Sequence, residues 1–235
     1  MIRQRIWCMC GSCSAELRHV ETEKHRRRFV HVLPAEPTNP NSRNCVHVNF
    51  QFAQYLGAAY LVSELGLQIF KRASRTQAQG TDAGSLRLLW RVIAASVGVA
   101  WWLAIVWPAA RFSSAGGAGI VGVVIFVAGL ILRWYSIFYL GRFFTVNVAI
   151  ASDHRLIDTG PYRYIRHPSY TGALMAFLGL GLCLYNWASV LALMTGTTLA
   201  FAYRIRVEEA ALAQGLGEDY RSYMRRTRRL VPGLY

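Results

Sequence analysis

Two short polar clusters in this chain carry the residue types that bind anions and move or hold protons. The first, Gly160-Pro161-Tyr162-Arg163-Tyr164-Ile165-Arg166-His167-Pro168-Ser169-Tyr170, stands directly before an apolar run that begins at Gly172. The second, Arg204-Ile205-Arg206-Val207-Glu208-Glu209, follows that apolar run. Pro168 suits the first position of a helix, where its missing N–H costs nothing. A helix start presents unpaired N–H groups and partial positive charge, which favour an anion such as the carboxylate of an amino-acid-like ligand. Arg204 and Glu208 are four residues apart and share a helix face, which taken alone reads as an ordinary salt bridge.

The elements that position these clusters are apolar helices. The chain of 235 residues is 54% hydrophobic and 16% charged, with a mean hydropathy of +0.25, a membrane composition. Apolar stretches at 50–70, 86–107, 120–140 and 172–203 are candidates for spans of roughly 20 residues each. The last is too long for one helix, and the turn-like pair Tyr185-Asn186 divides it into Pro168 to Leu184 and Trp187 onward. The expectation is an all-α integral membrane protein with five spans, in which the hairpin of spans four and five returns both polar clusters to one face. Lys71, Arg72, Arg75 and Arg87, then Arg142, Arg155, Arg163 and Arg166, then Arg204 through Arg229 flank the spans on one side, with Arg111 alone on the other. Cytoplasmic loops carry such an excess, so loops 71–87 and 141–167 and the C-terminus are expected in the cytoplasm. Arg26-Arg27-Arg28 lies more than twenty residues before span one, where the rule weakens.

Three regions follow: an N-terminal tail over 1–45, three transmembrane helices over 46–140, and a catalytic region over 141–235. The tail is polar, weakly patterned and without an apolar signal-peptide core. It reads as disordered, or as residues ahead of a true start near span one. Cys8, Cys10 and Cys13 have no second Cys or His pair at finger-like spacing, which argues against a metal site. The net charge of +14 is spread over juxtamembrane loops without a nucleic-acid recognition motif and matches attraction to anionic lipid instead.

Glu64, Arg91 and Arg133 fall inside apolar runs, where ionisable residues are functional candidates by default. The structural readings are that Arg91 snorkels to the head groups and that Arg133 pairs with Glu64 inside the bundle. Gly129, Gly172, Gly179, Gly181 and Gly196 are small residues that permit close helix contact in lipid. Tyr220, Tyr223 and Met224 recur at helical spacing after Gly217, as in an amphipathic helix that lies on the membrane or caps the site.

In combination, His154-Arg155-Leu156-Ile157, Thr159-Gly160-Pro161-Tyr162, Arg166-His167-Pro168-Ser169-Tyr170, Arg204 with Glu208-Glu209, Leu216-Gly217-Glu218-Asp219-Tyr220 and Val231-Pro232-Gly233 resemble the isoprenylcysteine carboxyl methyltransferase family and the related phospholipid N-methyltransferases. The resemblance covers about residues 140–235. It implies an integral membrane enzyme that takes S-adenosyl-L-methionine from the cytosol and methylates a lipid or lipidated acceptor from the bilayer. Cofactor contacts would fall on His154, Arg155, Leu156, Ile157, Tyr162, His167, Pro168, Ser169, Tyr170 and Glu208 with its neighbour Glu209. The acceptor would meet Arg204, and Arg204 and Glu208 form the catalytic pair.

No metal is required by that chemistry, because methyl transfer from a sulfonium is one in-line displacement governed by alignment. Fewer spans precede the catalytic region than in the family's eukaryotic members, and only two consecutive glutamates follow Arg204. Both departures bear on the acceptor, leaving a phospholipid amine or a small thiol as alternatives to a prenylated cysteine. From other classes stand a sterol-reductase-like nicotinamide enzyme, a transporter and a non-catalytic scaffold. A transporter is disfavoured because the polar residues gather at one interface, not at mid-membrane.

Overall fold

Long apolar runs build helices here, and polar turns break them where the sequence changes character. The computed structural model describes residues 6–7, 14–15, 40–72, 83–112, 115–141 and 156–231. Two compact units are distinguished, residues 1–51 and 52–235. In the first, β1 (Ile6–Trp7) pairs antiparallel with β2 (Ser14–Ala15), Ile6 opposite Ala15. The remainder of the expected N-terminal tail as far as residue 39, including Cys8, Cys10 and Cys13, lies outside the described residues.

Apart from that strand pair, every regular element among the described residues is helical: α1 (Pro40–Arg72), α2 (Ala83–Val106), α3 (Ala115–Leu140), α4 (Pro168–Cys183), α5 (Trp187–Gly215) and α6 (Gly217–Arg226), with short 3-10 turns at Pro108–Ala110 and Gly160–Arg163. Helices therefore stand at all five places where spans are expected. Three of them, within α2, α3 and α5, are long and apolar enough to cross a membrane. Apolar α4 has 16 residues, about 24 Å at 1.5 Å per residue, short of a hydrocarbon core of about 30 Å. Helix α1 carries Gln51, Gln54, Ser63 and Glu64 along its length, which lowers its apolar character.

The hairpin turn is built as its residues predict. Tyr185 adopts a left-handed conformation with φ 56°, and the Asn186 side chain caps α5 by accepting from the Ser189 N–H at 3.1 Å. Asn186 Nδ2 also donates to the Trp107 carbonyl at 2.9 Å, holding the α2 end beside the turn. Small residues do bring α3 and α4 into close contact. A Cβ on Gly172 would meet the Gly129 carbonyl, and one on Gly179 would meet the Gly122 carbonyl, backbone against backbone. Gly196 lies similarly against Ser96 and Gly181 against Val190.

Between α1 and α3 the expected intramembrane pair is present. Arg133 donates from Nε to Glu64 Oε1 at 2.5 Å and from Nη2 to Oε2 at 2.7 Å, a two-pronged contact. Its Nη1 reaches the Ser169 carbonyl at 3.1 Å. Beside it Trp134 Nε1 donates to Ser63 Oγ at 2.6 Å, and Tyr60 packs its ring 4.8 Å from that of Phe177. Arg91 is exposed, consistent with a snorkelling side chain.

Candidate functional site

The loop that leads into α4 is pinned at both ends. Gly160 has φ 58°, and the Tyr139 ring lies where a Cβ would project, so glycine is required there on both counts. Tyr139 donates to Thr159 Oγ1 at 3.0 Å and Tyr162 donates to the Ser136 carbonyl at 3.1 Å, which docks the Gly-Pro-Tyr turn on the end of α3. His167 takes the cap position with Pro168 next, starting α4 where the sequence indicates. The His167 N–H is taken by the Arg229 carbonyl at 3.0 Å and the Tyr170 N–H by the His167 carbonyl at 3.0 Å. Ser169 follows Pro168 in the first turn of α4 and is buried.

Helix α6 and the residues after it close over this loop. Tyr220 and Tyr223 are buried, the face the stripe predicts, and Tyr223 donates to the Tyr162 carbonyl at 2.6 Å. Burial raises the phenol pKa of Tyr162 and Tyr223 above the usual range, so both hydroxyls stay protonated and keep donating. The Arg166 N–H donates to the Arg228 carbonyl at 2.7 Å, and Thr171 Oγ1 donates to the Leu230 carbonyl at 2.7 Å. Arg166 Nη1 meets the Met224 and Thr227 carbonyls at 3.0 and 2.5 Å.

Two adjacent glutamates of α5 divide the site. Glu208 accepts from the Tyr170 hydroxyl at 2.8 Å. Glu209, 3% exposed, takes Arg166 Nε at 2.7 Å on Oε1, with His167 Nε2 3.3 Å from the same oxygen, and Arg229 Nε at 2.9 Å on Oε2. Arg204, 2% exposed, donates from Nη1 to the Ser85 hydroxyl of α2.

These groups surround a cavity of about 90 Å³. Its polar side is formed by Tyr162, His167, Ser169, Tyr170, Arg204 and Glu208, with Arg166 and the Glu64–Arg133 pair beside them. The apolar side comes from Leu67 of α1, Leu86, Leu89, Trp90 and Ile93 of α2, Leu140 of α3 and Phe201 of α5. That volume is below the ~300–1,000 Å³ of pockets for drug-sized ligands, so anything of that size enters only as the walls part.

Of the residues singled out in the sequence, Tyr162, His167, Ser169, Tyr170, Arg204 and Glu208 converge on the cavity. Pro168 is buried as the first helical residue, Glu209 faces its three basic partners, and Leu156 and Ile157 are half-buried outside the cavity wall. His154 and Arg155 lie outside the described residues, as do Pro232 and Gly233. Ser85, Arg166, Arg229 and the α1 and α2 wall were not singled out for roles in the site. The 3.6-residue spacing of Leu86, Leu89, Trp90 and Ile93 was the available signal for the wall, but on an apolar helix it does not tell a cavity face from a lipid face.

An all-helical membrane protein with a half-polar, half-apolar cavity near the start of a short helix is the class these features define. Within that class, residues 121–214 match the isoprenylcysteine carboxyl methyltransferase (ICMT) family. Protein-S-isoprenylcysteine O-methyltransferase B of Arabidopsis thaliana is 36% identical over 113 residues, 47% of this chain and 57% of that protein. A probable protein-S-isoprenylcysteine O-methyltransferase of Oryza sativa subsp. japonica is 32% identical over 114 residues, 48% of this chain and 60% of the relative. The chain spans little more than half the length of these curated relatives. Among solved structures, that of the eukaryotic intramembrane Ras methyltransferase ICMT aligns with a TM-score of 0.53 at 26% identity, covering 62% of this chain and 52% of that one. The resemblance read from the motifs thus holds in sequence over residues 121–214 and in fold over 62% of the chain.

Proposed function

We propose that this chain is an S-adenosylmethionine-dependent membrane methyltransferase that esterifies the carboxylate of a prenylated cysteine, on the cytoplasmic side of a multi-pass protein. The relatives' names point to that acceptor. The observation that carries the reading is the division of one cavity into a polar side with Arg204, Tyr170 and Glu208 and an apolar side from α1, α2 and α5. An acceptor with a charged end on an isoprenoid needs both.

The residues present fit the cofactor. Its amino-acid end carries an ammonium and a carboxylate, and the site offers the Glu208 carboxylate for the first and the Ser169 N–H with His167 beside it for the second. When bound, S-adenosylmethionine supplies an electrophilic methyl on a sulfonium. The chain's own contribution is alignment: Arg204 holds the acceptor's anion through its planar fork, and the apolar wall keeps water from the reacting oxygen. Glu209 acts at one remove, fixing Arg166 and His167 and with them the α4 start.

The test is incubation of the purified protein with methyl-labelled S-adenosylmethionine and three acceptors: a farnesylated cysteine with a free carboxylate, its carboxamide, and phosphatidylethanolamine. Label is expected in a base-labile methyl ester of the first alone. Label in the phospholipid amine would transfer the reading to a phospholipid N-methyltransferase, and binding of NADPH with no methyl transfer would replace it with a reductase.

A further inference from the structure

We infer that Ser85, in the first turn of α2, is a positioning residue that presents the Arg204 guanidinium to the acceptor. The inference rests on the reading of Arg204 given above. Ser85 is 7% exposed and Arg204 2% exposed, and the Ser85 hydroxyl accepts from Arg204 Nη1. A guanidinium has five donors in a rigid fork. Tyr170 is a second hydrogen-bond partner of Arg204, so Ser85 on α2 and Tyr170 on α4 together fix the plane of the group.

What makes the contact more than a chance meeting is the seam on which it sits. Helices α2 and α5 run antiparallel, and two further contacts set their register. Ser189 Oγ donates to the Ala100 carbonyl at 2.7 Å, and Gly196 gives room to Ser96, whose hydroxyl lies where a Cβ would stand. Ser85 stands opposite Arg204 at the far end of the same seam. Ala100–Ser189 and Ser96–Gly196 hold the same seam independently of Ser85, so the helix pair keeps those two contacts when the Ser85 hydroxyl is removed.

Ser85 also lies outside residues 121–214, the stretch matched by the family, together with the neighbouring wall residues Leu86, Leu89, Trp90 and Ile93. Arg204 lies inside that stretch and its Ser85 partner outside it.

The experiment compares Ser85→Ala, Ser85→Thr and Arg204→Lys with the parent protein, using the farnesylated cysteine as acceptor and reading thermal stability and S-adenosylhomocysteine affinity alongside. Methyl transfer by the parent is established first, since a parent that transfers nothing removes the reading of Arg204 and this inference with it. With an active parent, Ser85→Ala should lower acceptor kcat/KM about tenfold, chiefly through KM, the scale of a lost hydrogen bond to a charged group. Cofactor affinity and stability should stay near parental values, Ser85→Thr should recover most of the loss, and Ser85→Ala should add nothing to Arg204→Lys. An active Ser85→Ala protein with parental acceptor KM, or additive losses in the double variant, would overturn the inference while leaving the methyltransferase reading in place. Should Ser85→Ala fail to fold, Ser85→Cys, which keeps a side chain of similar size but a poorer acceptor, carries the same comparison.

Discussion

Glu208 and Glu209 adjoin in the sequence and occupy two different environments. Glu208 lines the cavity, half-buried, with Tyr170 as partner. Glu209 is buried away from the cavity wall, with one oxygen on Arg166 and His167 and the other on Arg229. The roughly 100° between successive helix residues suffices to separate them. A carboxylate with both oxygens occupied by protein groups has little left for a ligand, whereas one held by a single hydroxyl can accept another donor. The contrast separates a group that builds the site's frame from one that faces its contents.

The strongest way to break this contrast is Glu209→Ala. It leaves the Arg166 side chain, 8% exposed, and the part-exposed Arg229 without their carboxylate, and losing one partner of a buried ionic cluster costs about 3–5 kcal/mol. Denaturant or thermal unfolding in detergent should show that loss. Unchanged stability with loss of cofactor affinity would instead place Glu209 among the ligand contacts.

Arg204→Lys sharpens the contrast from the other side of the cavity. A fall of about tenfold or more in acceptor kcat/KM is expected, with the S-adenosylmethionine dissociation constant nearly unchanged, because the planar fork is lost and the charge remains. A parallel fall in cofactor affinity would make Arg204 part of the cofactor pocket. For Glu208→Ala, at least tenfold weaker S-adenosylhomocysteine binding, about 1.4 kcal/mol, is expected with little change in unfolding. Calorimetry on a folded variant with parental affinity would remove Glu208 from the cofactor site. His167→Ala should impair cofactor binding more than acceptor binding, and its shared contact with Glu209 predicts a smaller accompanying loss of stability than Glu209→Ala.

The smallest effect is expected from deleting residues 1–45, since the first residue lining the cavity is Tyr60. Methyl transfer by the inserted truncation should be close to that of the parent, and an inactive one would tie the N-terminal unit to the site. A single cysteine placed at position 115 should react with an impermeant reagent from outside while one at 163, exposed in the loop before α4, should not. The reverse labelling would invert the orientation and move the site to the opposite face.

Much of the frame was legible because it rests on local chemistry. Apolar runs marked the helices, Pro168 marked the start of α4, and Tyr185-Asn186 marked the hairpin turn through a left-handed residue and a cap. The Glu64–Arg133 pair was legible for a different reason: two opposite charges in apolar runs have few ways to be satisfied other than each other. The small residues of α3 and α4 announced close packing, although Gly122, which meets Gly179, passed unmarked among its apolar neighbours. Span count was less legible, because a 16-residue apolar helix and a polar-studded one read as spans by position while differing from α2, α3 and α5 in length and apolarity.

By itself, then, the sequence determined the helices, their breaks, the polar clusters at their ends and the family those clusters resemble, since each depends on residue type and on neighbours within a turn or two. The tertiary structure alone decided which of two adjacent glutamates faces the cavity, that Arg229 and Leu230 return to clamp the start of α4, and that Ser85 reaches Arg204 across 119 residues. Those choices depend on how helices rotate and slide against one another. A rotation of 100° or a shift of one turn changes every such contact while leaving each helix's own hydrogen bonds and apolar face almost as they were.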